Sequence, residues 1–124
     1  MEQSDERPAV WVGHVTMKAN RIEESNDFLV TLGLRPIVLE DGIAVLELRG
    51  GTHLVLLQTD DALSGAAPFD LMVDDLEATH KRLTESGLSP STVVAGKIHR
   101  SFTVQDPSGH DITFNSSHVS DRPV

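Results

Sequence analysis

Six histidines, nineteen carboxylates and no cysteine define the chemistry open to this chain of 124 residues. Without cysteine there is no disulfide, no thiolate metal site and no cysteine nucleophile. A histidine changes charge near neutral pH, so it can take a proton, hold a ligand or bind a metal ion. His14 is one candidate. It lies in Val10-Trp11-Val12-Gly13-His14-Val15-Thr16-Met17, which reads as a strand. Side chains alternate along a strand, so His14 and Thr16 share one face with Val12, and Trp11, Val15 and Met17 share the other. Acid-base work by His14 with Glu47 or Asp70 is the simplest catalysis these types could perform. No Gly-x-Ser-x-Gly nucleophile context, phosphate loop or dinucleotide fingerprint occurs.

The elements that must carry these residues come twice. Asn20-Arg21-Ile22-Glu23 opens one helical stretch and Asp74-Asp75-Leu76-Glu77 opens another, an offset of 54. Leu29, Gly33, Leu34 and Pro36 recur as Leu83, Gly87, Leu88 and Pro90. In the first copy Asn20 is the expected N-cap, with Glu23 at capping-box spacing. Ile22, Phe28, Leu29 and Leu32 form its apolar side, and Gly33 and Pro36 end it. Short strands are expected at 37–39, 43–49 and 52–58, around turns at Asp41-Gly42 and Gly50-Gly51. In the second copy a strand at 69–73 leads to a helix capped by Asp74. Strands follow at 92–94, 99–105 and 110–115, the last two flanking Asp106-Pro107-Ser108-Gly109. The order βαβββ repeats, and the joint agreement of caps, faces and turns points to duplication. The expected division is a tail at 1–9, a module at 10–58, a linker at 59–67, a module at 68–118 and a tail at 119–124.

Composition narrows the partners. The net charge is -9, with no cluster of Lys or Arg, which disfavours nucleic acid and anionic membrane surfaces. No apolar run approaches the roughly 20 residues needed to span a bilayer. Residues 1–7 lack the apolar segment of a secretory signal, so a cytoplasmic protein is expected.

Gly13-His14-Val15-Thr16, Leu32-Gly33-Leu34, Val73-Asp74-Asp75-Leu76 and residues 102–112, in this order and spacing, resemble the vicinal oxygen chelate superfamily. That group includes glyoxalase I, bleomycin- and fosfomycin-resistance proteins and extradiol dioxygenases. The resemblance covers about residues 10–118. It implies an α+β fold of two tandem βαβββ modules, whose curled mixed sheets enclose a concave cavity. It also implies a homodimer. The family's metal sites use four strand positions, which fall here on His14, Val55, Pro68 and Thr113. Only one is a conventional donor, so no metal and no cofactor are expected at that centre.

With the family's fold, strand parity assigns the cavity lining. From the first module come His14, Thr16, Glu47, Arg49, His53 and Val55; from the second, Asp70, Met72, His99, Ser101, Thr103, Gln105, Asp111, Thr113 and Asn115. Leu54, Leu56, Ile112 and Phe114 then face the helices. His14 and His53 lie on strands that neighbour one another in this family. Glu47 and Arg49 either contact a ligand or pair across a solvated edge. Asp70 either orients a substrate or is a solvated acid. His80, His110 and His118 carry no expected role, Trp11 is read as core or interface, and Arg100 points outward. The resulting expectation is a small-molecule-binding protein with a degraded metal site. The alternative is a lyase, isomerase or dioxygenase with a relocated metal on His14 and His53, with Glu47 or Asp111. A third possibility is a partner module that keeps the fold alone.

Overall fold

A computed structural model describes residues 6–118 and 121–124. In chain order the elements are β1 (His14–Ala19), α1 (Ile22–Leu32), β2 (Arg35–Glu40), β3 (Ile43–Glu47) and β4 (His53–Gln58), then β5 (Leu71–Val73), α2 (Leu76–Glu85), β6 (Val94–Ala95), β7 (Arg100–Gln105) and β8 (Asp111–Ser116). They build two four-stranded sheets, ordered β1-β4-β3-β2 and β5-β8-β7-β6. In each sheet the first and last strands pair parallel and the others antiparallel. A parallel pair needs a long crossover, which the helix and its two following strands supply. Two tandem βαβββ modules in an α+β fold are therefore what the chain forms.

Strand alternation places the core. Met17, Ala19, Ala44, Leu46, Leu54 and Leu56 are buried beneath Phe28, Leu29 and Leu32 of α1. In the second module Phe102, Val104, Ile112 and Phe114 are buried with Leu76 and Leu83 of α2. The Phe102 and Phe114 rings stack with centroids 4.9 Å apart. Each such side chain contributes about 1.5–3 kcal/mol on burial. The opposite sheet faces carry no helix, and His14, Thr16, Glu47, His53, Ser101, Thr103 and Thr113 lie on them.

Both helices close in the same way. The amide of Leu34 bonds back to Leu29 and that of Leu88 to Leu83, with Gly33 and Gly87 at positive φ between. Their N-termini differ from expectation and from each other. Asp75, not Asp74, caps α2, accepting from the Ala78 amide at 2.9 Å. Asp74 is thereby free to pair with Arg49 across the modules, at 2.9 Å. Asn20 does not cap α1; its side-chain amide donates to the Asp61 carbonyl. Arg21 occupies the cap position, and its amide donates to Ser108 Oγ, 87 residues away, at 3.1 Å.

Ser108 belongs to a buried relay between the modules. Ser25 Oγ lies 2.6 Å from Ser108 Oγ and donates to Asp106 Oδ2 at 2.8 Å. A hydroxyl has one proton, so Ser108 must donate to Ser25. Asp106 Oδ1 accepts the Gly109 and His110 amides. The Asp-Pro-Ser-Gly turn thus caps the first helix as well as turning its own hairpin.

Some strand edges move. β1 begins at His14, four residues later than the sequence suggests, and Trp11 is 72% exposed rather than in the core. β3 ends at Glu47, so Arg49 lies in the turn before β4. His99 precedes β7 instead of beginning it. The expected tails lie partly outside the described residues, at 1–5 and 119–120.

Candidate functional site

Register builds one polar row across the first sheet. Arg35 on β2 stands opposite Glu47 on β3, Glu47 opposite His53 on β4, and His53 opposite His14 on β1. All four share the face away from α1, because Leu46 and Leu54, next to Glu47 and His53 in the strands, are buried toward the helix. His53 Nε2 lies 2.9 Å from Glu47 Oε2. Arg35 forms an ion pair with Glu47 Oε1. The His14 ring meets the His53 ring edge-on, with centroids 5.8 Å apart and planes at 70°.

The electrostatics follow from these contacts. The hydrogen bond from Arg35, then that from His53, holds the Glu47 carboxyl below the usual glutamate range, outweighing desolvation. An ionised carboxylate only accepts, so the His53 proton sits on Nε2 in the neutral ring and Nδ1 is left as an acceptor. Among the described residues, no protein group hydrogen-bonds Nδ1 of His53 or either nitrogen of His14. The two rings can thus bind a ligand, accept a proton or donate to a metal.

Arg35 was not expected in this row. The Asp41-Gly42 hairpin pairs Glu40 with Ile43 and Val38 with Val45, and an unbroken register would bring Pro36 to Glu47. A bulge between Pro36 and Val38 brings Arg35 there instead. The bulge has no clear signature in Pro36-Ile37-Val38.

The remaining expected residues distribute as follows. Thr16 is on the same face as His14, one row along and opposite Val55. Val45 and Val38 continue that row as an apolar strip. Arg49 is not on the sheet face and does not pair with Glu47; its partner is Asp74. On the second sheet Thr103 pairs with Thr113, Gln105 with Asp111, and Ser101 with Asn115, giving a hydroxyl-rich face with one carboxylate. Asp70 precedes β5 and is exposed. His99 stacks on His118, centroids 5.1 Å apart, with its Nδ1 buried and unpaired. His80 bonds the Ser91 carbonyl, His110 the Lys18 carbonyl, and Arg100 pairs outward with Glu77.

Two hollows lie elsewhere. One, of about 630 Å³, is lined by Val10, Trp11, Arg49 and Val124 among others. The other, of about 250 Å³, lies between the modules against Val15, Leu54, Phe69, Asp70 and Leu71. Neither includes His14, Glu47 or His53. The chemical groups are on open sheet faces, beside the exposed apolar side chains Leu57, Met72 and Val94. Among the described residues no three His, Asp or Glu side chains gather as a metal-binding group. None of their helices is long and apolar enough to cross a membrane.

Solved structures share this fold. The lactoylglutathione lyase of Agrobacterium tumefaciens superposes with a TM-score of 0.74 at 14% identity, over 89% of this chain and 96% of that one. TnmS3, an antibiotic binding protein from Streptomyces sp. CB03234, gives 0.75 at 23% identity, over 90% and 100%. Oxidase ChaP-H1 gives 0.70 at 19% identity, over 89% and 98%. No curated protein matches. A family model matches residues 11–114, and with the repeated βαβββ architecture it shows that the chain belongs to the Glyoxalase/Bleomycin resistance protein/Dioxygenase superfamily.

Proposed function

We propose that this protein binds a small organic molecule on the helix-free faces of its sheets, without the family's four-donor metal centre. The observation that carries this reading is the row Arg35–Glu47–His53–His14, whose ring nitrogens have no full set of protein partners. Polar groups held in order on a sheet face suit a ligand that supplies the missing hydrogen bonds. The apolar strip of Val38, Val45 and Val55 beside them suits its carbon skeleton.

The four positions that resemblance assigns to the metal do not fit one. Val55 and Pro68 have no side-chain donor atom, and a neutral Thr113 hydroxyl is a poor replacement for a carboxylate. The likeness to an antibiotic binding protein supports binding as the activity.

A homodimer belongs to the same proposal. Leu57, Met72 and Val94 are 40%, 46% and 61% exposed beside the polar faces, and a second copy would cover them. A cytoplasmic location is also proposed, in keeping with a chain free of disulfide-forming residues.

The test is a thermal-shift screen of antibiotics and small organic cations with EDTA present throughout. A ligand at 100 times its Kd adds about 2.7 kcal/mol, a rise of several degrees in Tm. A rise that disappears in Glu47→Gln and His53→Ala supports the reading. A rise that neither substitution alters places binding off this face and refutes it.

A further inference from the structure

We propose that His14 and His53 form a transition-metal site of their own, with Glu47 as the residue that positions His53. The site would keep His14, one of the family's four positions, but replace Val55 by His53, which the strand register sets directly opposite His14. It occupies the face assigned above to the organic ligand. Its test uses metal ions alone, so either idea can fail without the other.

Three observations converge. The first is placement. His14 and His53 are in-register neighbours on parallel strands, with ring centroids 5.8 Å apart. Two imidazoles sharing one tetrahedral ion, each with a metal–nitrogen bond of about 2.1 Å, have centroids about 5 Å apart. A side-chain adjustment of under about 1 Å closes that difference. The planes at 70° let ring edges, which carry the nitrogens, converge.

The second is the partner behind the ring. His53 Nε2 is held 2.9 Å from Glu47 Oε2, leaving Nδ1 for an ion. A carboxylate on the far nitrogen of a ligating histidine is a recurrent arrangement that fixes the tautomer and raises donor strength. Arg35 holds the other Glu47 oxygen and so fixes the carboxylate.

The third is access. The His53 side chain is 33% exposed and that of Glu47 is 19% exposed, so an ion can enter and keep water. Only the two histidines donate directly, because no third His, Asp or Glu gathers there among the described residues. The remaining coordination positions fall to water or to oxygen or nitrogen atoms of a small ligand. Imidazole donors select Cu(II), Ni(II) and Zn(II) over Mg, Ca and Mn.

The chain contains its own control. His99 and His118 also lie close, with centroids 5.1 Å apart, but their planes are stacked at 27° and among the described residues no carboxylate bonds either ring. Proximity alone predicts metal binding at both pairs; the proposal predicts it at one.

The experiment is calorimetric titration of ZnCl2 and NiCl2 into tag-free protein at neutral pH. The expected result is one site per chain, lost in His14→Ala and in His53→Ala. Glu47→Gln should weaken binding about 10- to 100-fold. His99→Ala should leave it unchanged. Circular dichroism checks that each variant is folded, and the more conservative His53→Gln replaces His53→Ala if that variant is not. No binding by the wild type overturns the proposal, as does binding that survives loss of His53. Binding indifferent to Glu47→Gln reduces the pair to two surface histidines, which also overturns it.

Discussion

Ser25→Ala tests how the two modules are joined. Ser25 is fully buried, and its hydroxyl links Ser108 Oγ at 2.6 Å to the Asp106 carboxylate at 2.8 Å. Alanine removes a charge-assisted hydrogen bond, worth about 1.5–3 kcal/mol. The Ser108 hydroxyl also loses its acceptor, at a cost of about 1 kcal/mol. Better helix propensity returns roughly 0.5 kcal/mol. The net loss is about 2–3.5 kcal/mol, and for a domain of this size Tm should fall by roughly 8–14 °C. Trp11 is 72% exposed and therefore a weak reporter of the core, so unfolding should be followed by far-UV circular dichroism in urea. The midpoint should fall with an unchanged slope. Thr79, the residue 54 positions on, provides a control. Its hydroxyl bonds only the Asp75 carbonyl of its own helix, and Thr79→Ala should change stability by under about 0.5 kcal/mol. In a double-mutant cycle Ser25→Ala and Ser108→Ala should be strongly non-additive. A Ser25→Ala loss no larger than that of Thr79→Ala would refute the relay as a determinant of stability.

Other outcomes follow from particular contacts. The Glu47 carboxyl has a folded pKa below its ordinary 4.5, so its ion pair stabilises fully above that value and is lost as pH falls through the lowered one. Glu47→Gln should therefore reduce the acid dependence of Tm below about pH 4.5 and lower Tm near neutrality. Arg49→Ala breaks a pair whose side chains are 83% and 77% exposed; its effect on Tm should be small and should vanish in 1 M NaCl, at about a 3 Å screening length. Gly109→Ala should cost more than about 3 kcal/mol in urea unfolding, because a Cβ there strikes the Leu63 carbonyl oxygen at a φ of +114°. Gly50→Ala, with φ of +85° and nothing within 4 Å, should cost only about 1–2 kcal/mol.

The repeat itself was legible in the sequence, and so was the division of faces. Alternation, combined with the family's fold, put Leu54, Leu56, Ile112 and Phe114 inside, and all four are at most 1% exposed. That reading works because a strand has a fixed period of two and because burial of the wrong face would strand polar groups in the core. Gly33 and Gly87 were equally readable, since a positive φ after a helix favours glycine locally.

Contacts made across the chain were a different matter. The sequence nominates Asn20 as a cap, but the Arg21 amide finds Ser108 because the modules pack together there. Glu47 and Arg49 invite pairing by spacing. A bulge in β2 gives Glu47 to Arg35, and a turn of positive-φ glycines turns Arg49 toward Asp74. The sequence placed Trp11 on the same strand face as Met17, yet only Met17 is buried, because β1 begins at His14. His14 and His53 each belonged to the candidate list by strand parity. Their approach was expected only from the family's strand order; the ring contact, and Glu47 as the carboxylate behind His53, came from the register of three strands. Local periodicity determines which face a side chain joins; only tertiary packing determines which partner it meets there, because that depends on atoms brought together from dozens of residues away.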